Sequence, residues 1–155
     1  METEQVVWSF RVDGAPIPDR RPRPGKNGSV YMDPRVKAWR RAVASAARRI
    51  GARVGGSCCV QMNFSLPFAA PRRASDACTS PPDVDNLGKL ILDAMQDAGV
   101  FVYGDDQVVD LRATKEYSPT PGVSVVLIAM QPPSTRSPRR KERKIAISMD
   151  AEEVW

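Results

Sequence analysis

Proline placement decides where this chain is able to be regular. Pro16, Pro18, Pro22 and Pro24 fall in one short stretch, Pro67, Pro71, Pro81 and Pro82 in a second, and Pro132, Pro133 and Pro138 in a third. A proline locks φ and has no N–H to donate, so these stretches are denied a helix interior or a central strand. Regular elements belong in the intervals. Residues 5–13 alternate, with Val6, Trp8, Phe10 and Val12 on one face, which predicts a half-buried strand. Asp33 followed by Pro34 gives an N-cap and a first-turn proline, and Gly51 a stop. Between them Val36, Trp39, Ala42/Val43, Ala46 and Ile50 recur at helical spacing, predicting a first helix.

Residues 57–66 read as a second strand. A second helix is expected from Asp85 to Gly99, with Leu87, Leu90, Ile91, Ala94 and Ala98 on its buried stripe. Short strands are expected at 101–103, 107–117 and 123–130, separated by a Gly-Asp-Asp turn. The order β-α-β-α-β-β(-β) describes an α/β chain of the α+β kind, a mixed sheet flanked by two main helices. The 155 residues fit one domain. After Gln131 the composition turns polar, basic and proline-rich, which places the folded domain at 1–131 and a flexible basic tail at 132–155. The closing segment IAISMDAEEVW is left open between docking and solvent.

Histidine is absent. That removes Ser-His-Asp triads, Cys-His pairs, His-ligated zinc and nucleases with a histidine base, and leaves chemistry to carboxylates, lysine or a metal. Cys58, Cys59 and Cys78 form no CxxC pair, which argues against zinc and against a disulfide framework, and points to a reducing, cytoplasmic setting. The N-terminus shows no basic segment before an apolar run, and no stretch nears the roughly 18 apolar residues of a membrane span. The expectation is an unexported protein without a membrane partner.

The net charge of +5 is unevenly spread. Residues 1–49 carry 11 Lys+Arg against 5 Asp+Glu, whereas residues 81–131 carry 3 against 8. A basic frame attracts a polyanion by releasing condensed counterions, and an acidic island inside it suits bound divalent cations. Arg20, Arg21, Arg23 and Lys26 place a basic loop before the first helix, and they are read as DNA contacts. The helix itself shows Arg35, Lys37, Arg40, Arg41, Arg48 and Arg49, a pattern equally at home on a solvated face.

The acidic island centres on Pro82-Asp83-Val84-Asp85-Asn86-Leu87-Gly88-Lys89, followed by Gly104-Asp105-Asp106-Gln107. In an extended segment Asp83 and Asp85 point the same way, so both can face one cation, and a turn carboxylate from 105–106 can close the site. Mg²⁺ takes such oxygen ligands and leaves positions for water and phosphate. Each residue also has a plainer role. Asp85 resembles an N-cap, Asp105 and Asp106 resemble turn residues, and Lys89 stands at i,i+4 spacing from Asp85 and Asp93. Asp93 and Asp97 are assigned to the solvated face, and Asp110 is left open. Arg112 and Lys115 on the next strand are read as DNA contacts.

The run DVDNLGKLILDAMQDAGVFVYGDDQVVDLRATK closely resembles the signature of RusA-like Holliday junction resolvases. That signature orders an Asp-x-Asp-Asn-Leu-x-Lys helix start, an Asp-Ala-Leu-like helix body, an Asp-Asp turn and a Gln-Val-x-Asp-x-x-x-x-Lys strand. The match covers roughly residues 82–115, and the proline/arginine loop is family-like too. The resemblance implies a homodimeric, Mg²⁺-dependent endonuclease, with Mn²⁺ as a substitute, that nicks four-way DNA junctions symmetrically in recombination and repair. It further implies Asp83, Asp85 and Asp105 as metal ligands and Lys89 as a catalytic helper. The turn here reads Gly-Asp-Asp-Gln where the family often reads Asp-Asp-x-Gln. Counting back from Gln107 selects Asp105, with Asp106 as the fallback.

Two other readings compete. A nuclease of the PD-(D/E)xK class needs an acid, one residue, then lysine, and the acidic centre has no such triplet. A basic DNA-binding accessory protein, in which the aspartates only cap and turn, gains if Asp83, Asp85 and Asp105 do not gather.

Overall fold

A computed structural model describes residues 5–68 and 77–130. The expected tail at 132–155 and the middle of the proline-rich stretch at 67–82 lie outside the described residues. In chain order the elements are β1 (Val7–Asp13), β2 (Arg23–Pro24), β3 (Val30–Tyr31), α1 (Pro34–Arg49), β4 (Cys58–Leu66), α2 (Val84–Asp97), β5 (Val108–Tyr117) and β6 (Gly122–Ala129). The main sheet runs β1-β6-β4-β5, and β2-β3 is a separate two-stranded ladder. β4 and β5 are parallel and joined through α2, while β6 is antiparallel to both β1 and β4. The expected α+β class with a mixed sheet and two helices is the observed one.

Register divides the sheet into two faces. Val60 sits beside Leu127, Met62 beside Val125 and Phe64 beside Val123, and Val12 meets Val123 from the other side. These side chains point to one face and are buried there. α1 lays Val36, Trp39, Val43 and Ala47 into the same core, and α2 adds Leu87, Leu90, Ile91 and Met95. At about 25 cal/mol per Å² of apolar surface, this burial is the main term favouring the fold. The opposite face carries polar pairs, Arg11 to Ser124 at 3.1 Å and Thr114 to Asn63 at 3.2 Å. The two helices are also tied directly: Arg40 holds both oxygens of Asp97 at 2.5 and 2.9 Å, and Arg48 donates to the Asp97 carbonyl at 3.1 Å.

Three expectations need correction. The basic proline loop is not wholly without a ladder, because Arg23–Pro24 pairs with Val30–Tyr31. A proline is tolerated at so short and exposed an edge, where its missing N–H breaks no central ladder. Residues 101–103 form no strand. Phe101 makes one isolated parallel bridge to Val54, since the chain is already committed to the turn that follows. α2 begins at Val84, with Asp83 at the N-cap, because the Asp83 carbonyl already accepts from the Leu87 N–H at 3.1 Å. Asp85 therefore lies in the first helical turn, where its charge complements the helix dipole. The apolar run 123–130, expected as a strand, is β6, paired on both edges in the sheet interior.

One position in α2 carries backbone freedom without using it. Gly88 is buried in the helix, and a Cβ there would meet only Met62 Sδ at 3.6 Å, an ordinary contact. Gly88→Ala is expected to raise unfolding stability by about 1 kcal/mol, measured by urea denaturation, because alanine removes the entropy penalty of glycine in a helix. A loss of stability would mean that the α2–β4 contact does not accept a methyl group.

Candidate active site

The site is built from three segments, each pinned by a different interaction. The first is the start of α2. Asp83 has an extended backbone (φ −69°, ψ 140°) and its carboxylate makes no capping hydrogen bond, while Asp85 follows in the exposed first turn. The approach to Asp83 is clamped from β5: Lys115 Nζ donates to the Ser80 carbonyl at 2.8 Å and the Pro82 carbonyl at 3.1 Å, and the Tyr117 hydroxyl to Ser80 Oγ at 2.9 Å. Lys115, expected as a DNA contact, thus holds the backbone that presents Asp83. Arg112, also expected on DNA, pairs with Gln61 in the parallel register and shares the helix-free face of the sheet. Its nearest carboxylate is Asp110 at 3.5 Å. The structure does not bring Arg112 to the start of α2.

The second segment is the turn at Gly104–Gln107. Gly104 has φ 121°, a region in which a side chain is strained, and this lets the chain double back into the 3₁₀ turn Asp105–Gln107. Gln107 is buried and its amide is fully used. Oε1 accepts from the Tyr103 N–H at 2.6 Å, and Nε2 donates to the carbonyls of Val54 at 2.9 Å and Gly56 at 2.8 Å. A buried amide satisfied on both ends fixes its turn, because breaking any of these bonds strands a desolvated group. Asp105 is exposed on this anchored turn, next to the exposed Asp106.

The third segment is the basic loop. The Asp19 N–H donates to the Asn86 carbonyl at 3.0 Å, and the Asp19 carboxylate pairs with Lys89 Nζ at 3.0 Å. Lys89 therefore finds its ion-pair partner across the fold, not at the i,i+4 positions, and the hydrogen bond it donates to Asp19 raises its pKa. Asp93, one turn further, is half-buried and not on a solvated face. Burial pushes its carboxyl pKa up. Arg40 and Lys89 pull it down, while Asp19 and Asp105 push it higher. Asp19, Lys89, Asp93 and Asp105 thus share one electrostatic field. Asp97 is engaged by Arg40, whose hydrogen bonds hold its carboxyl below the ordinary carboxylate range. The Cys58 thiol, pushed by burial to about 11, is no nucleophile.

Asp83, Asp85 and Asp105 enter no hydrogen bond or ion pair with another described residue through their carboxylates, which leaves their oxygens available. Among the described residues, however, no three acidic or thiol side chains are grouped so as to hold a metal ion. The expected convergence on one cation is therefore not preformed. Asp83 is extended but Asp85 is helical, so the two do not lie on one extended segment. The donor chemistry still fits Mg²⁺, which commonly binds through one or two carboxylates, waters and substrate phosphate and needs no closed protein cage.

Sequence reasoning missed Asp19, although one acid among the prolines and arginines of that loop was a usable signal. It also missed the buried role of Gln107, for which the sequence offers none.

The chain matches the sequence model of the family described as Endodeoxyribonuclease RusA over residues 13–128. That span runs from the end of β1 to β6 and contains all three site segments. The chain is also 33% identical over 135 residues to the Bacillus subtilis (strain 168) protein named Uncharacterized protein YqaN, covering 76% of this chain and 93% of that one.

The raised carboxyl of Asp93 gives a signed pH prediction. The folded state holds this proton more tightly than the unfolded chain does, so ionising Asp93 costs stability at neutral pH, and the cost fades as pH falls below the carboxyl range. Asp93→Asn should therefore raise the urea midpoint near neutral pH and lose that advantage in acid. Equal midpoints for the two proteins at both pH values would show that Asp93 is not in an unfavourable field.

Proposed function

The chain belongs to the RusA endodeoxyribonuclease family, and from that premise we propose that it cuts four-way DNA junctions by metal-dependent hydrolysis at Asp83, Asp85 and Asp105. The observation that carries this reading is the trio itself: carboxylates without described partners, on segments whose backbones are held by Lys115 and Gln107. Surface acids that only cap or turn do not need such support. Mg²⁺, held by oxygens from these aspartates, would supply Lewis acidity to a phosphoryl oxygen and would lower the pKa of a bound water.

The remaining work falls to the protein's own groups. Lys89, exposed at the second turn of α2, offers its ammonium to a phosphate oxygen where negative charge builds up. In the free protein Asp19 holds that ammonium in place and keeps the basic loop against α2. Arg20, Arg21, Arg23 and Lys26 on this loop grip the DNA backbone without reading sequence. Mn²⁺ takes the same oxygen ligands and serves as a substitute.

A four-way junction has approximate two-fold symmetry, and resolving it into two ligatable duplexes requires two matched cuts. A C₂ homodimer supplies both sites by its own geometry. With β6 enclosed, the ladders open to a second copy are the edges of β1 and β5. On β5, Val109 and Leu111 are 63% and 48% exposed. Residues 1–131 would then form the cutting domain, and the basic stretch 132–155 would add sequence-independent affinity for DNA in recombination and repair.

One observation favours a second reading. Since no three donors are preassembled among the described residues, a DNA-binding module that never cuts accounts for the charge pattern equally well. Substitution separates the two. Asp83→Asn, Asp85→Asn and Asp105→Asn should each reduce junction cleavage by at least about 100-fold while leaving junction binding within a few-fold, because each removes a metal ligand and no phosphate contact. Asp106→Asn should be much milder. An inactive Asp106→Asn beside an active Asp105→Asn would shift the third ligand by one residue, and strong residual cutting by all three would remove the trio from the site.

Mixing wild-type subunits with Asp83→Asn subunits on a supercoiled cruciform plasmid tests the pairing. Mixed dimers should leave a nicked circle and only wild-type pairs a linear product. Linear product falling in simple proportion to the wild-type fraction would point to a monomer cutting twice.

A further inference from the structure

The β2–β3 hairpin presents two large apolar side chains to water: Val30 is 70% and Tyr31 59% exposed. Neither belongs to the hydrophobic core. Beside Tyr31 a cavity of about 220 Å³ opens between the hairpin and the first turn of α1, walled by Arg20, Arg21, Arg23, Arg35 and Asp33. Asp33 is already engaged, capping α1 through the Arg35 N–H at 2.9 Å and pairing with Arg35 at 3.0 Å and Arg20 at 3.8 Å. Arg21 and Arg23 form no ion pair with a described residue. Four guanidinium groups against one carboxylate leave the cavity positive, so its ligand is an anion.

An aromatic ring beside unneutralised guanidinium groups suits one class of anion best. A nucleotide offers a phosphate to the guanidinium fork and a planar base to the ring, and every base has a face that stacks. The volume lies below the roughly 300 Å³ at which pockets for drug-sized ligands begin, which leaves room for a single base. The cavity is also fixed relative to the candidate active site. Asp19, next in sequence to Arg20, is bonded to Asn86 and Lys89 on α2.

We propose that this cavity receives one nucleotide unstacked at the branch point of the DNA, with its base against Tyr31 and its phosphate on Arg21 and Arg23. The inference rests on the junction-cutting reading above and adds to it a device for telling branched DNA from duplex. Pulling a base out of an intact duplex costs stacking and pairing energy. At a branch point that cost is lowest, so a pocket for one unstacked base favours the branched substrate.

The test measures binding of the full chain to a synthetic four-way junction and to a duplex of equal length, with chelator present so that no strand is cut. Tyr31→Ala should weaken junction binding about 5- to 100-fold, the range expected for one lost base stack, and leave duplex binding unchanged. Tyr31→Phe, which keeps the ring, should bind as wild type does. The slope of log affinity against log salt should not change in Tyr31→Ala, whereas Arg23→Ala should flatten it by about 0.9. Wild-type junction preference that persists undiminished in Tyr31→Ala overturns this inference and leaves the junction-cutting reading standing. Equal losses on junction and duplex also overturn it, since Tyr31 would then serve general affinity. A wild-type chain that binds both DNAs alike, with Tyr31→Ala the same, sinks the inference together with the reading on which it rests.

Discussion

Carboxylates of like charge do not share a neighbourhood unless their backbones are held there. Two of them about 4 Å apart repel by about 1 kcal/mol in water and about 4 kcal/mol at an effective dielectric of 20. In this chain the field around α2 includes Asp19, Asp93 and Asp105, with Arg40 and Lys89 as cations among them. The segments that carry these groups are locked by interactions indifferent to that repulsion. Lys115 clamps the carbonyls ahead of Asp83, and Gln107 rivets the turn of Asp105 to residues 54–56. Asp19 ties the basic loop to α2. These three ties hold the segments that carry the acidic residues.

The support follows from topology. Because α2 connects two adjacent parallel strands, β4 and β5, the chain must return after the helix, and it does so through the Gly104 turn. The start of α2 and the turn before β5 are thus fixed relative to one sheet. The match to the endodeoxyribonuclease family over residues 13–128 contains this whole unit. On the proposed function, a site completed only when cation and phosphate arrive together keeps its acids unpaired in the free protein, and the carboxylates of Asp83, Asp85 and Asp105 have no hydrogen-bond or ion-pair partner among the described residues.

Much of this was legible in the sequence because it is local. The alternation around Trp8 and Phe10, the stripe of Val36, Trp39 and Val43, and that of Leu87, Leu90 and Ile91 each report a face within a few residues. What depends on distant pairing was not legible. Nothing near residues 123–130 reveals that β6 lies between β1 and β4. Nothing near Lys89 reveals that its partner is Asp19, 70 positions earlier by residue number. The candidate aspartates were found by their order and spacing. The extended segment expected to hold Asp83 and Asp85 together is interrupted, because the helix starts at Val84. The bonds from Lys115 to the Ser80 and Pro82 carbonyls were not legible either, because they join residues more than 30 positions apart.

The central claim is that this chain hydrolyses branched DNA with a divalent cation. The most direct test is to incubate the wild-type protein with a synthetic four-way junction, with and without Mg²⁺, and to map every strand break at nucleotide resolution. The account predicts paired nicks at symmetry-related positions near the crossover with Mg²⁺ and none without it. A junction bound tightly yet left intact across the Mg²⁺ range, or cut equally well in chelator, would contradict it.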